Sequence, residues 1–278
     1  MRLTSLADDL KGDAVSHALE QTIRASLISL SKCDRQPLNC DMEKAYFSFR
    51  GDDSRLTRPI NDSLFDERLT TSFVAKVLNC EVEEMPFDVL ERVLYTLAIS
   101  YCAAADLVKT GDKKTPATFF EKLTGHLVGR SLGVNPKNFI EIQSLEIRNS
   151  LPTDFIFDLG HGNSKIHMPV KTSTRERVIQ VWAHQRVIDG VFGLGRFKGV
   201  LVSIAETNAK PNFGVTEVCL PDQWVIYQMF IAQMHRIYYF DLPRKYAELG
   251  LKYPFIQVKK FASFFSEASQ LAVGSPIA

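Results

Sequence analysis

The chain has 278 residues, 45% of them hydrophobic and 23% charged, which is enough to bury a substantial core in one large domain or two smaller ones. Its 33 Lys and Arg against 32 Asp and Glu leave a net charge of only +1, so a uniformly basic protein is excluded, and any nucleic-acid surface must arise from segregated charge. Five cysteines without paired spacing, no apolar run of roughly 18 residues and no secretory leader in Met1 to Lys11 point to a cytoplasmic protein with reduced thiols.

Residues 12 to 32 predict an amphipathic helix with Val15, Leu19, Ile23, Leu27 and Leu30 on one face. Residues 33 to 70 turn polar and irregular. They set Arg35, Arg50, Arg55, Arg58 and Arg68 beside Tyr46, Phe47 and Phe49, a mixture compatible with phosphate grip and base stacking. The favoured reading is a surface loop tethered by buried aromatics. Helical patterns follow at 70 to 80 and 86 to 109, and Gly111-Asp112-Lys113-Lys114 breaks the second.

Thr115-Pro116 reads as the cap and first position of another helix, with Phe120, Leu123, Leu127 and Val128 at helical spacing and Glu121 adjoining that stripe. His126, on the same helix, reads as an ordinary partly buried histidine. Pro152-Thr153-Asp154-Phe155-Ile156-Phe157 reads as the start of an apolar strand, and Lys165 to Val170 as a second strand running into Lys171. An aspartate on one strand and a lysine on the next suit phosphodiester hydrolysis. The carboxylate helps hold a hard divalent cation, and the ammonium steadies the attacking water or a non-bridging oxygen.

Beyond Lys171, the trio Arg175-Glu176-Arg177 suits base reading, since Arg pairs with guanine O6 and N7 while a carboxylate accepts from the cytosine amino group. Val178, Trp182, Val187 and Ile188 carry that segment into a helix packed on the sheet, with Gln180, Gln185 and Arg186 as further candidate DNA contacts. Residues 199 to 204 read as a buried strand. Residues 221 to 235 read as an aromatic-rich helix, belonging to core or a subunit interface.

Over roughly residues 115 to 190 the chain resembles the PD-(D/E)xK nuclease superfamily. Within it the similarity is to Type II restriction endonucleases that recognise CCGG, CCNGG or CCWGG, whose catalytic lysine is followed after three residues by Arg-(Asp/Glu)-Arg, as Lys171 is here. The resemblance implies an α/β (α+β) core with a central mixed sheet flanked by helices. It implies Mg2+ held by Asp154 and Glu121, Lys171 as the catalytic lysine, and Arg175, Glu176 and Arg177 as base readers; Arg50, Arg55, Arg58, Gln180 and Arg186 are candidate DNA contacts by residue type alone. It further implies a homodimer on double-stranded DNA and a cognate methyltransferase acting on the same site. The expected organisation is a mostly helical DNA-embracing region, 1–110, before a catalytic core, 111–278.

Two departures stand out. The usually acidic position two before the lysine is Pro169. The region about thirteen residues beyond it, where the subgroup relocates that acid, reads Trp182-Ala183-His184-Gln185-Arg186. Either His184 or Gln185 takes the vacant place, or a second metal position is not used. Asp158 is a spare carboxylate on the same strand face as Asp154, and Asp154 is favoured because it opens the strand. The competing readings are a non-specific nuclease of the same superfamily and a DNA-binding protein that has lost catalysis.

Overall fold

The computed structural model describes residues 9–40, 42–109, 111–144, 147–160 and 162–272. The N-terminal amphipathic pattern forms helix α1 (Asp13–Leu30), with Val15, Leu19, Ile23 and Leu30 buried. The polar segment that follows is not a loop. It forms strands β1 (Asp34–Cys40), β2 (Tyr46–Arg50) and β3 (Ile60–Asn61). β1 carries little apolar character and is held by antiparallel pairing to β2. In β2, Tyr46, Phe47 and Phe49 are buried, and Phe47, Phe49 and Phe65 pack edge to face. Helices α2 (Thr71–Leu78), α3 (Phe87–Val108) and α4 (Lys114–Leu132) then cover one side of the molecule.

The main sheet is assembled from β4 (Lys137–Ser144), β5 (Ile147–Phe157), β6 (Lys165–Met168), β7 (Val170–Lys171) and β8 (Phe197–Ser203), with α5 (Val178–Phe192) between β7 and β8. β9 (Thr207–Lys210) and β10 (Gly214–Glu217) form a hairpin, followed by α6 (Pro221–Phe230), β11 (Met234–Tyr239), α7 (Arg244–Lys252), β12 (Val258–Lys260) and α8 (Ser263–Ala272). Strand order is β12-β11-β8-β6-β5-β4, with β7 also on β8. β4, β5 and β6 are antiparallel, whereas β6, β8, β11 and β12 run parallel. The result is a mixed sheet between helical layers.

Period-two alternation explains the layering. Val200, Val202, Tyr238 and Phe240 join one core with α1 to α4 and α8. Leu201, Ile237 and Tyr239 turn the other way, onto Val178, Trp182, Trp224 and Tyr246 of α5 to α7. β8 is buried along its whole length, as a strand covered on both faces must be. Its Gly199 is required by close approach, because a Cβ there would stand 2.7 Å from Gln185 Oε1 and 2.8 Å from Met234 Sδ.

A second sheet, β3-β2-β1-β10-β9, draws strands from both sides of residue 110 through parallel pairing of β1 with β10. Buried Asp241 reinforces this seam by accepting hydrogen bonds from Lys44, Tyr46 and Asn61. The aromatic stretch 221–235 also differs from the single helix expected. Gln228 breaks it by pairing with both the N–H and the carbonyl of Met234, so that β11 begins there. No described helix is long and apolar enough to cross a membrane.

Candidate active site and nucleic-acid interface

Asp154 does not open its strand; it is well inside β5, which begins at Ile147. Antiparallel pairing of Phe155 with Met168 brings it level with the end of β6, where Pro169 interrupts the strand. Chain direction resumes in β7, with Val170 opposite Val202 and Lys171 opposite Ser203. The Asp154 carboxylate spans that interruption. Its Oδ2 accepts the Val170 N–H at 2.7 Å and the Lys171 ammonium at 2.6 Å.

Glu121 reaches the same place from α4. Asp112 starts that helix, in place of the expected Thr115 cap, because its carboxylate accepts the N–H groups of Lys114 and Thr115 and the Thr115 hydroxyl. Phe120, Leu123, Leu127 and Val128 are buried as their spacing predicts, which leaves Glu121 half-buried at the edge of the stripe. Burial, and next the negative charge of Asp154, push the Glu121 carboxyl above its ordinary range, while Lys171 opposes them. His126 is fully buried and bonded to Leu10 O, Leu78 O and Ser16 Oγ, a structural tie between helices.

Asp158 is separated from this pair. It pairs with Lys165 at 2.6 Å, at the opposite end of β6. Four residues of extended chain place it about 13 Å from Asp154. Asp158→Asn is therefore expected to cost no more than about 1 kcal/mol of stability in urea unfolding, as for an exposed ion pair. A larger loss would show that the pair with Lys165 holds the end of β6 in place.

On α5, Gln185 is buried and turned inward. Its Oε1 accepts the His167 Nδ1–H at 2.9 Å, and its amide donates to Asp189 Oδ1 at 2.8 Å and Phe197 O at 3.2 Å. Its hydrogen-bonding groups are thus committed to an internal network. His184 is only partly buried, and its charge acts on His167. Burial drives His167 down to about 4, with the Gln185 hydrogen bond opposing. A histidine whose folded value lies below its unfolded one contributes stability above the unfolded value of about 6.5, and loses it as pH falls through the folded value. Denaturant unfolding should show about 2 kcal/mol less stability at pH 5 than at pH 7 from this group. His167→Gln should remove this share of the dependence and leave the share of His235, which burial also drives down to about 4; an unchanged slope would assign the His167 share elsewhere.

The segment after Lys171 forms one 3-10 turn, Arg175–Arg177, leading into α5. Arg175 has φ of +40°, a left-handed backbone costing roughly 1–2 kcal/mol for a residue with a Cβ. Its guanidinium donates to Asn208 Oδ1 at 3.1 Å. The side chain of Glu176 lies outside the described residues. Sequence reasoning missed Glu206, just beyond β8, whose buried carboxylate accepts hydrogen bonds from Ser173, Thr174, the Arg175 N–H and Tyr239. The one available signal was an acid directly after the apolar run ending at Ala205, at the strand end that carries Lys171.

A cleft of about 610 Å³ gathers Glu121, Lys171, Arg175, Arg177, Gln180 and Arg58. Arg58 is held there by a two-pronged bond to Asp106, 2.8 Å on each prong. Arg186 is elsewhere, on a cavity of about 890 Å³ at the start of β8, whereas the cleft touches Ile204 and Ala205 beyond its end. Arg55 pairs with Asp53, and Arg50 with Gln36. Neither arginine lines the cleft. Tyr46, Phe47 and Phe49 are core, leaving no exposed aromatic for a base in β2.

The sequence matches no family model, and no curated protein is significantly similar to it. Among solved structures, the crystal structure of the Type IIP restriction endonuclease Kpn2I superposes with a TM-score of 0.79 and 24% identity, over 96% of this chain and 94% of that one. The chain has the restriction-endonuclease fold. A looser likeness, with a TM-score of 0.48 and 14% identity over 73% of this chain and 89% of that one, is to the restriction endonuclease PspGI in complex with substrate DNA.

On this restriction-endonuclease fold, Glu121, Lys171 and several guanidinium groups line the cleft, and the Asp154 carboxylate, on a different element from Glu121, is bonded to Lys171 beside it. Among the described residues no three His, Cys, Asp or Glu side chains form a metal-binding group. The donor set still fits magnesium, which takes one or two protein carboxylates and fills its other positions with water and phosphate oxygens.

Proposed function

We propose that the chain is a Type II restriction endonuclease, cutting double-stranded DNA at a short G·C-containing palindrome of the CCGG or CCNGG kind. The observation that carries this reading is the Asp154–Lys171 pair, coupled electrostatically to Glu121, beside a cleft rimmed by Arg175 and Arg177. Asp154 and Glu121 are the residues that would hold Mg2+, which supplies activation of water and offsets charge on the phosphate. Lys171 exchanges part of its bond with Asp154 for the attacking water or a non-bridging oxygen. Arg175 and Arg177, with Glu176 between them, read base edges in the major groove. Arg58, Gln180 and the N-terminal region, residues 1–110, border the duplex.

A palindrome read by one such trio per half-site requires a two-fold dimer. A methyltransferase acting on the same sequence would protect host DNA, in the cytoplasm where both work. A second reading, a site-specific DNA-binding protein without catalysis, draws on the absence of an acid near His184 and the inward turn of Gln185.

The deciding experiment incubates the protein with unmethylated plasmid or phage DNA, with and without Mg2+, and sequences the product ends. Discrete Mg2+-dependent fragments sharing a palindrome are expected. Smearing would favour a non-specific nuclease, and intact DNA with a specific mobility shift would favour the binding protein.

A further inference from the structure

Glu206 is 1% exposed and sits outside both the carboxylate pair and the base-reading trio. Five donors converge on it: the Ser173 hydroxyl at 2.7 Å, the Thr174 N–H at 2.9 Å, the Thr174 hydroxyl at 2.6 Å, the Arg175 N–H at 3.3 Å and the Tyr239 hydroxyl at 2.7 Å. A carboxylate has about four lone-pair positions, so Glu206 is saturated and is no substitute for the missing metal ligand. Four of the five donors belong to Ser173, Thr174 and Arg175, three of the four residues that separate Lys171 from the rest of the trio. The fifth, Tyr239, is buried in β11 and stacks in the core with Trp224.

Two further bonds fix the same stretch to the chain just before Glu206: Ile204 N–H to Lys171 O at 3.3 Å and Ala205 N–H to Thr172 O at 3.4 Å. Two residues beyond Glu206, Asn208 accepts from the Arg175 guanidinium. The backbone at Arg175 is left-handed, and its N–H is bonded to Glu206. A strained residue persists only where its surroundings over-determine it, and the Glu206 carboxylate supplies that constraint.

We propose that Glu206 is a positioning residue that sets the register between the cutter, Lys171, and the readers, Arg175 and Arg177, so that sequence discrimination depends on a group that never meets DNA. The proposal rests on the endonuclease reading above. Glu206→Gln keeps the side chain's shape but turns an NH2 toward donors from Ser173, Thr174 or Arg175, leaving buried groups unpaired and freeing the turn.

The test compares kcat/KM on the preferred site with kcat/KM on sites altered at one base pair, together with a thermal melt. Glu206→Gln is expected to melt cooperatively and to lower the discrimination ratio about tenfold or more. Tyr239→Phe, which removes the core-side bond and keeps those from the turn, should leave the ratio unchanged. A group that is merely structural would lower the melting temperature in both variants and leave the ratio alone in both; that result overturns the proposal. If Glu206→Gln does not fold, Ser173→Ala removes one turn-side donor and is read the same way: a lower ratio supports the proposal, an unchanged one overturns it. Wild-type protein without sequence preference would instead overturn the endonuclease reading on which the proposal stands.

Discussion

Lys171→Ala is expected to lower the cleavage rate by about 10²–10³-fold or more, as loss of one preorganised charge-stabilising donor does, while binding to the preferred duplex stays largely intact. In the proposed mechanism the ammonium acts on charge that develops during the reaction, so its removal is expected to fall on the chemical step and not on ground-state binding. Asp154 keeps its Val170 N–H partner at 2.7 Å, which holds the carboxylate in place when the lysine is gone. Both side chains of the pair are partly exposed, at 34% and 22%, so the lost ion pair has only a modest effect on folding. Single-turnover cleavage with Mg2+, set beside a mobility shift in its absence, separates the two effects. Cutting at the wild-type rate would remove Lys171 from the mechanism, and parallel loss of binding and cutting would make it a binding residue.

What the sequence disclosed and what it hid divide along a physical line. The nearness of Asp154 and Lys171 was legible because the largely apolar runs 155–157 and 166–170 pair as antiparallel strands and bring their flanking residues together, although β5 itself starts earlier, at Ile147. The helix bearing Glu121 was legible from its spacing, although its start was not. The Asp112 carboxylate outcompetes the Thr115 hydroxyl as a cap by taking two N–H groups and the hydroxyl itself.

β1 was invisible because Asp34 to Cys40 owes its extended form to backbone partners in β2 and β10, and such partners leave no periodicity in the strand itself. The stretch 221–235 misled because an aromatic-rich apolar run suits a buried helix and a buried strand equally. The break is set by the Gln228 amide pairing with Met234, a contact that hydropathy does not encode. Gln185 and Glu206 were hidden for the same reason. Gln185 looked available to the cleft but turns inward to His167, and Glu206 looked like a strand-end acid but collects the donors of the turn after Lys171. Side chains whose roles are defined by distant partners are where pattern reading runs out.

Arg175→Ala should cost about 1 to 3 kcal/mol of binding to the preferred site, equivalent to about 5- to 150-fold in affinity, with a much smaller change on random duplex. Alanine is the informative replacement. It keeps a Cβ at φ of +40°, so the backbone strain stays and the difference reports the guanidinium; glycine would relax the turn as well. The Glu206 bonds to Ser173 and Thr174 are untouched by the change, so the turn keeps its anchor. In the free protein the guanidinium rests on Asn208 at 3.1 Å, a neutral contact that a bidentate guanine edge can replace. The measurement is a pair of binding titrations, preferred and random duplex, repeated across salt concentrations. A base contact predicts loss concentrated on the preferred sequence with little change in the salt slope. A phosphate contact predicts equal weakening on both duplexes and a slope smaller by about one unit, and that outcome would leave Arg177 and Glu176 to carry the reading of the G·C pairs.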